Sequence, residues 1–463
     1  MARGMTARKA RRMLARAAAA VVFAALAPSV QALGLLEAYD AALTNDPVYN
    51  AARKEREAGE LNRTIGRSYL LPKLSGSYTN THNRLDRTFL NNGRSDEDRY
   101  RSYNASIALR QPLFDWEAIS RYRYGSAAAE ASEATFDARS QEILVRVLLA
   151  YTETLFTLDQ LSLAIAQKRA YDEQLIANKR LFENGEGTRT DLLETEARAQ
   201  IADADLINAR DEFDNAAQAL QALTGIPITP QEGLVSLPDN FKPVRHNTER
   251  LDDWLQRARD LNPELIAGRH SLEAARYQTE IQRAGHLPRV NLVASVGQSQ
   301  SDTVNSLDTR YKTRAVGVEV AIPLYSGGLV QGSTQQAYAN YERAQFELQD
   351  RTNRVMLEVR KQYNLYASSM ARIGALERAV ESATLLITAT RKSVAGGLRT
   401  NVDVLNAERQ LYESRRDLSR ARYQFLQASM QLKYAAGTLT QNDMIDMATL
   451  FRVPRVGDEI PAR

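Results

Sequence analysis

Four segments of the chain share an alternation of apolar and polar residues with a period of two. They are 73–84, 100–111, 289–300 and 311–322. In the last of them Val316 and Val318 lie on one face and Glu319 on the other. This alternation is typical of β-strands with one apolar face. The segments have about the 9–11 residues that a tilted barrel strand needs to cross a membrane, so they predict two membrane hairpins with polar loops at 86–99 and 301–310.

The helical segments are longer than those of an ordinary globular protein. Segment 117–182 contains no Pro and a single Gly, and a helix of that length extends roughly 100 Å. Segment 328–395 is its counterpart in the second half. The helices that follow, 190–224 and 402–436, carry an apolar residue every seven positions. In the second of them these are Val404, Leu411, Leu418, Phe425 and Leu432. Sustained heptads predict coiled-coil packing against neighbouring helices.

The chain repeats itself once, with a shift of about 212 residues. Asp191 corresponds to Asp403, and both halves close at a glycine, Gly225 and Gly437. Agreement of such landmarks over nearly the whole chain indicates an internal duplication. Each half is predicted to contain a helix, a strand pair, a very long helix and a return helix. The predicted divisions are a signal peptide at 1–32, a first repeat at 33–225, a Pro-rich linker at 226–248, a second repeat at 249–437 and a tail at 438–463.

The net charge of +4 belongs to the N-terminus. Residues 1–32 hold six basic residues and no acid, so the remainder carries 54 basic and 56 acidic residues. A positive start, an apolar stretch at 17–27 and small residues before position 33 are the three parts of a bacterial secretory signal peptide. The alternative, a short membrane anchor, has too few apolar residues to span a bilayer. Without this segment no basic face is implied, which argues against a nucleic-acid partner.

The sequence lacks the residues that are characteristic of several functional classes. The chain has no Cys, which excludes disulfides, thiolate metal sites, thiol nucleophiles and lipid attachment through an N-terminal Cys. Its four His are scattered, which argues against a His-based metal site. The sequence also lacks the glycine-rich phosphate-binding loop, the His-Glu-x-x-His motif and the Gly-x-Ser-x-Gly motif. We therefore expect no enzymatic activity, no metal and no cofactor.

The number of strands predicts an oligomer. Four strands cannot close a barrel, and an open sheet edge in lipid leaves backbone groups unsatisfied. Three copies supply twelve strands together with a ring of twelve helices. The expected fold class is an α+β membrane protein in which a trimeric 12-stranded outer-membrane β-barrel continues into a 12-helix periplasmic α-barrel of coiled-coil helices.

These features together resemble the TolC family of outer-membrane efflux proteins. The segment that carries the resemblance best is Gly397-Leu-Arg-Thr-Asn-Val-Asp403-Val-Leu-Asn406, followed by the heptad helix. The resemblance implies a passive homotrimeric exit duct in outer-membrane lipid, which works with a periplasmic adaptor and an inner-membrane ABC or proton-driven transporter. The absence of an N-terminal Cys favours the type I secretion branch. The alternatives are the outer-membrane component of a drug-efflux pump and, more distantly, a periplasmic coiled-coil scaffold without a barrel.

The resemblance also implies roles for residues of the second helical turn. Asp403 matches a carboxylate that rings the pore constriction, although an acid in the first turn of a helix is also favoured by the helix dipole alone. A second acidic ring is not expected, because its position is Asn406. Arg399 matches an arginine that holds the entrance closed, or it is a solvated turn residue. The usual Tyr partner of that arginine is replaced by Val394.

The remaining candidate residues lie at the first helical turn and on the strands. The first-half candidates for a secondary pore or tip role are Arg189, Asp191 and Glu194. The glycines expected to form the turns, with φ and ψ angles that other residues rarely adopt, are Gly185, Gly187, Gly396 and Gly397. The resemblance places adaptor docking at the same tips. Arg110 and Glu319 lie on polar strand faces and are candidates for the barrel lumen, or are solvated charges at strand ends.

Overall fold

The computed structural model describes residues 32–230, 233–238, 241–243, 250–301, 308–396 and 398–451. The predicted signal peptide, apart from its last residue, lies outside them. In chain order the elements are α1 (Leu35–Asn45), α2 (Pro47–Ser68), β1 (Lys73–Thr88), β2 (Ser95–Phe114), α3 (Trp116–Glu183), α4 (Arg189–Thr224), α5 (Leu251–Leu261), α6 (Pro263–Arg283), a 3-10 turn (Ala284–His286), β3 (Arg289–Gln300), β4 (Arg310–Ala321), α7 (Leu329–Ala395), α8 (Asn401–Ala435) and α9 (Gln441–Ala448).

The same order of elements occurs twice. α1–α2, β1–β2, α3 and α4 correspond to α5–α6, β3–β4, α7 and α8. Pro47 and Pro263 each occupy the first turn of a helix, where the missing N–H costs no hydrogen bond. The structure adds three helices that the sequence analysis did not assign: α1 and α5 precede these prolines, and α9 lies in the predicted C-terminal tail.

The strands form one antiparallel sheet in the order β1-β2-β3-β4. In the register, Leu109 lies opposite Leu74 on one side and Ala294 on the other, and Ala294 lies opposite Val316. Directly opposed residues point to the same face, so this row belongs to an apolar face. The alternate residues form a polar face, on which Ser77 and Ser106 are joined by a hydrogen bond of 2.9 Å. The sheet therefore has the two unlike faces that the alternation predicts.

The first hairpin is longer than predicted. The predicted strands were 73–84 and 100–111, with a polar loop at 86–99, but β1 runs to Thr88 and β2 begins at Ser95. The loop prediction is wrong because charged side chains pair along and between the strands. Arg84 contacts Glu97 at 3.0 Å, and Arg87 contacts Asp98 at 3.9 Å. Opposed charges on neighbouring strands stabilise pairing that an apolar pattern cannot reveal.

The helices pack side by side around one large hydrophobic cluster, with three smaller clusters elsewhere along the described helices. The large cluster joins α1 and α5 to α3, α7 and α8, and Tyr151 and Leu148 of α3 are fully buried in it. The predicted heptad residues of α8 are all buried. No helix in the described ranges is long and apolar enough to cross a membrane.

Candidate functional site

The turn between α7 and α8 is closed by a capping box. Thr400 is the N-cap of α8, and both its backbone N–H and its Oγ1 donate to Oδ2 of Asp403, each at 3.0 Å. These bonds, together with the nearby charge of Arg399, lower the pKa of the Asp403 carboxyl. Asp403 is therefore an ionised acid in the first turn of a helix, where the dipole favours it.

The neighbouring candidates have different surroundings. Asn406 is exposed, and its Oδ1 accepts a hydrogen bond from Nη2 of Arg198 at 3.4 Å. Arg399 is exposed and forms no hydrogen bond or ion pair with the described residues. Val394, at the position of the expected latch partner, is half-buried. In this single chain, Arg399 therefore influences Asp403 only through its charge.

The tips of the two repeats contact each other through residues that the sequence analysis missed. Nε2 of Gln174 on α3 donates to Oδ1 of Asn401 on α8 at 2.8 Å. Leu405 of α8 is fully buried and packs in a cluster with Tyr171 of α3. These partners are more than 200 residues apart in the chain, so no local pattern could have paired them. The contacts join α8, which carries Asp403, to the first repeat.

The first-half turn resembles the second but is bonded differently. Thr188 is the N-cap of α4, its Oγ1 accepting from the backbone N–H of Asp191 at 3.0 Å and donating to Oδ2 of Asp191 at 2.7 Å. Glu194 lies 3.7 Å from Arg198. Arg189, also a candidate here, is exposed. Asp191 and Glu194 are thus occupied by local contacts within α4 and its cap.

Only one of the described turn glycines has the backbone conformation that was expected of all four. Gly185 has φ of +78°. Gly187 is needed for a different reason, because an added Cβ would lie 3.0 Å from the backbone N of Phe182. Gly396 has φ of −88°, which other residues adopt, so the expectation of an unusual conformation there is wrong. Gly397 lies outside the described residues.

Each coiled-coil hairpin has its own buried polar contact near the tip. In the first, Nδ2 of Asn178 on α3 donates to Oγ1 of Thr195 on α4 at 2.7 Å, with both residues buried. In the second, Arg391 on α7 contacts the buried carboxylate of Glu408 on α8 at 2.7 Å. A buried polar pair of this kind sets the register of two helices, because sliding leaves a group unsatisfied.

A polar contact also joins the two repeats halfway along the helices. Ser419 and Tyr423 of α8 both donate to Oδ2 of Asp159 on α3, at 2.5 and 3.1 Å. Burial, together with the charge of Asp159, raises the pKa of the Tyr423 hydroxyl well above its usual range. The contact fixes the register of α3 relative to α8 along the helix axes.

The sheet brings its two candidate charges together. Nη2 of Arg110 on β2 lies 2.9 Å from Oε2 of Glu319 on β4, across the intervening strand. Both side chains are exposed on the polar face. The sequence indicated the face of each residue but not their pairing, which depends on the strand order.

One group of possible metal ligands occurs in the described residues. Glu130 of α3 lies beside His270 and Glu273 of α6, with one ligand atom of each within 4.8 Å of the others. Glu130 is also 3.5 Å from Arg63, and Tyr277 donates to Glu273 at 3.2 Å. The group is partly exposed and its carboxylates already contact a cation and a hydroxyl, as in a surface ion-pair network.

Comparison with known proteins agrees with these features. The sequence profile of the family described as outer membrane efflux protein matches residues 38–226 and 254–438, one stretch in each repeat. The chain is 45% identical over 93% of its length to alkaline protease secretion protein AprF of Pseudomonas aeruginosa, covering 89% of that protein. It is 41% identical over 93% of its length to proteases secretion protein PrtF of Dickeya chrysanthemi, covering 94% of it. It is 30% identical over 93% of its length to outer membrane protein TolC of Vibrio cholerae, covering 96% of it.

The fold is also that of a solved channel. The crystal structure of the CmeC outer membrane channel of Campylobacter jejuni superimposes with a TM-score of 0.77 at 17% identity, covering 90% of each chain. The four strands of this chain are one third of a twelve-stranded trimeric barrel, and its four long helices are one third of the α-barrel that continues it. The resemblance on which the sequence analysis relied is therefore confirmed: the chain belongs to the family of outer membrane efflux proteins, the passive TolC-type export ducts of the Gram-negative outer membrane.

Proposed function

We propose that this protein is the outer-membrane duct of a type I secretion system whose cargo is a secreted protein, with proteases as the first cargo class to test. The observation that carries this proposal is the similarity to two relatives named for protease secretion, at 45% and 41% identity over nearly the whole chain. The partners that we propose are a periplasmic adaptor and an inner-membrane ABC transporter. Residues 1–32 act as a signal peptide that is removed on export.

We propose that Asp403 lines the periplasmic constriction of the trimer. Its position at the tip turn and its lowered pKa support this role, because three ionised carboxylates around a threefold axis attract cations. Arg399 and Asn406 border the same constriction. Arg189, Asp191 and Glu194 form the equivalent surface of the first-half tip. The tip turns with Gly185, Gly187, Gly396 and Gly397 are the proposed adaptor-docking surface, and Arg110 with Glu319 faces the barrel lumen.

The secretion proposal is tested by export of a defined cargo. A strain that carries the cognate ABC transporter, adaptor and protease, but lacks its own duct, is complemented with this protein. We expect protease activity in the culture medium, together with co-purification of the adaptor by the cross-linked duct. A strain that becomes drug-resistant but leaves the protease inside the cell overturns type I secretion in favour of drug efflux.

The pore proposal is tested by conductance of the purified trimer in planar bilayers. We expect Asp403→Asn to lower cation selectivity and block by divalent cations, since the constriction loses its charge. Asp191→Asn is the matched control, because it removes a carboxylate that also accepts a hydrogen bond from an N-cap threonine hydroxyl, at the other tip. If both variants change selectivity equally, or neither does, Asp403 is not the residue that lines the constriction.

A further inference from the structure

Along β4 the apolar face of the sheet becomes basic. The residues that point to this face are, in order from the helical end, Val320, Val318, Val316, Arg314, Lys312 and Arg310. Three valines are thus followed by three cations on one face of one strand. The residues between the cations, Tyr311 and Thr313, point to the polar face. The period of two places every cation of this segment on the side that also carries the valines.

The neighbouring strands continue this basic surface. Arg310 lies opposite Gln300, which lies opposite Tyr103 of β2, and Arg101 follows two residues further on the same face. All four cations are exposed. Arg101 and Arg310 donate to the amide oxygens of Asn80 and Gln300. Within the described residues neither Lys312 nor Arg314 forms an ion pair.

The acids near this surface are already accounted for or lie beyond it. Glu97 and Asp86 point to the same face further along the first hairpin, where both contact Arg84. Asp308 lies in the turn that precedes β4. Within one chain, the level of Arg310, Lys312 and Arg314 therefore carries positive charge that no carboxylate of the described residues contacts.

The position of the cations matches the outer boundary of the membrane. The strand ends near Val320 lead into the helices, which lie in the periplasm in this fold, so the opposite ends face the cell exterior. A tilted strand crosses the hydrocarbon layer in about 9–11 residues. Arg310 is ten residues from Val320. Arg310 thus lies where the apolar layer ends, and Lys312 and Arg314, two and four residues nearer the valines, reach the headgroups of the outer leaflet with their long side chains.

We propose that Arg310, Lys312 and Arg314, together with Arg101, bind the phosphate groups of the glycolipid that forms the outer leaflet, the lipid A part of lipopolysaccharide. The valines contact its acyl chains, and the cations reach its phosphates. Guanidinium groups suit phosphate because they donate paired hydrogen bonds, and the long side chains extend from an apolar face to a polar boundary. This surface anchors the barrel at a fixed depth, independently of what the duct exports.

The test is binding of fluorescent lipid A to the purified trimer in detergent. We expect the triple variant Arg310→Gln/Lys312→Gln/Arg314→Gln to bind roughly a hundredfold more weakly, since each basic residue at an anionic lipid surface contributes about fivefold. The matched control removes three exposed cations from α7 instead, as Arg343→Gln/Arg354→Gln/Lys361→Gln, and should bind as the wild type does. Lipid A without phosphates should bind weakly to all three proteins, and millimolar inorganic phosphate should not compete.

Three results would overturn the proposal. One is equal binding of lipid A by the triple variant and the control. Another is equally tight binding of dephosphorylated lipid A by the wild type, which would leave only an apolar lipid contact. The third is displacement by inorganic phosphate alone. Trimer formation and conductance verify that the variants fold. If the triple variant does not form trimers, Lys312→Gln and Arg314→Gln are measured singly, with about fivefold weaker binding expected for each.

Discussion

In each repeat the end of the return helix packs against the start of a helix that begins with proline: α4 against α2 at the first joint, and α8 against α6 at the second. Different side chains hold the two joints. At the first joint two residues share the task. Nδ2 of Asn45 donates to the C=O of Thr224 at the end of α4, while Asp46 caps α2 and receives both terminal nitrogens of Arg146 at 2.8 and 3.2 Å. At the second joint Asn262 does both, because its Oδ1 accepts from Leu265 N–H and its Nδ2 donates to the C=O of Ala435.

The two halves differ in which buried groups they can tolerate. The side chain of Asp46 is only 2% exposed, and a carboxylate so buried needs a cation. The position 212 residues after Arg146 is Glu358, so the second repeat offers no such cation in register. A neutral amide at position 262 avoids the cost of an unpaired charge and still supplies an acceptor and a donor. The duplicated geometry is therefore kept while its electrostatics differ.

The largest expected effect comes from Arg146→Met. It leaves Asp46 buried without its cation, and breaking a buried pair costs about 3–5 kcal/mol. The midpoint of denaturant unfolding of the trimer measures this loss. Glu358→Met at the equivalent position should cost less, about 1–2 kcal/mol, since it removes only the acceptor of the Gln362 amide at 2.6 Å and leaves no buried charge. The double variant Asp46→Asn/Arg146→Met should recover most of the loss, since it gives the first joint the neutral chemistry of the second. No recovery would mean that packing of the arginine, not its charge, stabilises the joint.

The next largest effect is expected from alanine in place of the glycines that end the return helices, and it should differ between the two. Gly225 and Gly437 have φ of +73° and +72°, so alanine costs about 1 kcal/mol at either. At Gly437 the added Cβ would also lie 2.5 Å from the backbone of Leu261 and Asn262, whereas at Gly225 it meets the Asn45 side chain at 3.0 Å. We expect Gly437→Ala to lower the unfolding free energy by about 3 kcal/mol and Gly225→Ala by about 1. Equal melting temperatures would contradict the tighter approach at the second joint.

A smaller effect is expected from Asn262→Asp. The change keeps the N-cap acceptor but removes the donor to Ala435 and places an unpaired charge in a buried site, at a cost of about 2 kcal/mol at neutral pH. The cost should diminish in acid, where protonation restores a neutral group. Asp46→Asn is the reciprocal control, and thermal unfolding at pH 5 and pH 8 measures both. A cost that is the same at both pH values would show that charge is not its origin.

A smaller effect still is expected from loss of the buried polar contact at the first tip. Thr195→Val removes the hydroxyl that accepts from Asn178 and leaves a buried amide unsatisfied, at a cost of about 1–2 kcal/mol. The second hairpin has Ala407 at the equivalent position and relies on Arg391 and Glu408 instead. Hydrogen exchange should show faster opening of the first hairpin tip only. Faster exchange in both tips would indicate that the tips open as one unit.

The smallest effect is the pH dependence of the second tip. The pKa of Asp403 is lowered in the folded protein, so its capping contribution is complete above the ordinary value of 3.8 and is lost as the pH falls through the lower folded value. Protection of the Thr400 amide, corrected for intrinsic exchange, should fall only in this acidic range. Asp403→Ala should show low protection at every pH. Protection in the wild type that falls already near pH 6 would contradict this assignment.

The features that the sequence predicts correctly are those that depend on residues close together in the chain. Pro47 and Pro263 marked helix starts, the heptad from Val404 onward marked the packing face of α8, and the alternation around Val316 marked a two-faced strand. Each depends only on neighbours within two turns of helix or two strand positions, so single-sequence periodicity is sufficient. The charged extension of the first hairpin escaped this reasoning because cross-strand ion pairs carry no apolar period.

The duplication, the order of the strands and the long helices, the apolar faces and the family of this protein thus follow from the sequence. The pairing of distant groups follows only from the packed fold: Arg146 with Asp46, Gln174 with Asn401, Asp159 with Tyr423, and Arg110 with Glu319. The physical reason is that local patterns record the environment of a face, whether water, lipid or core. Hydrogen bonds and ion pairs depend instead on register between elements, and register is settled only when long helices and strands pack together.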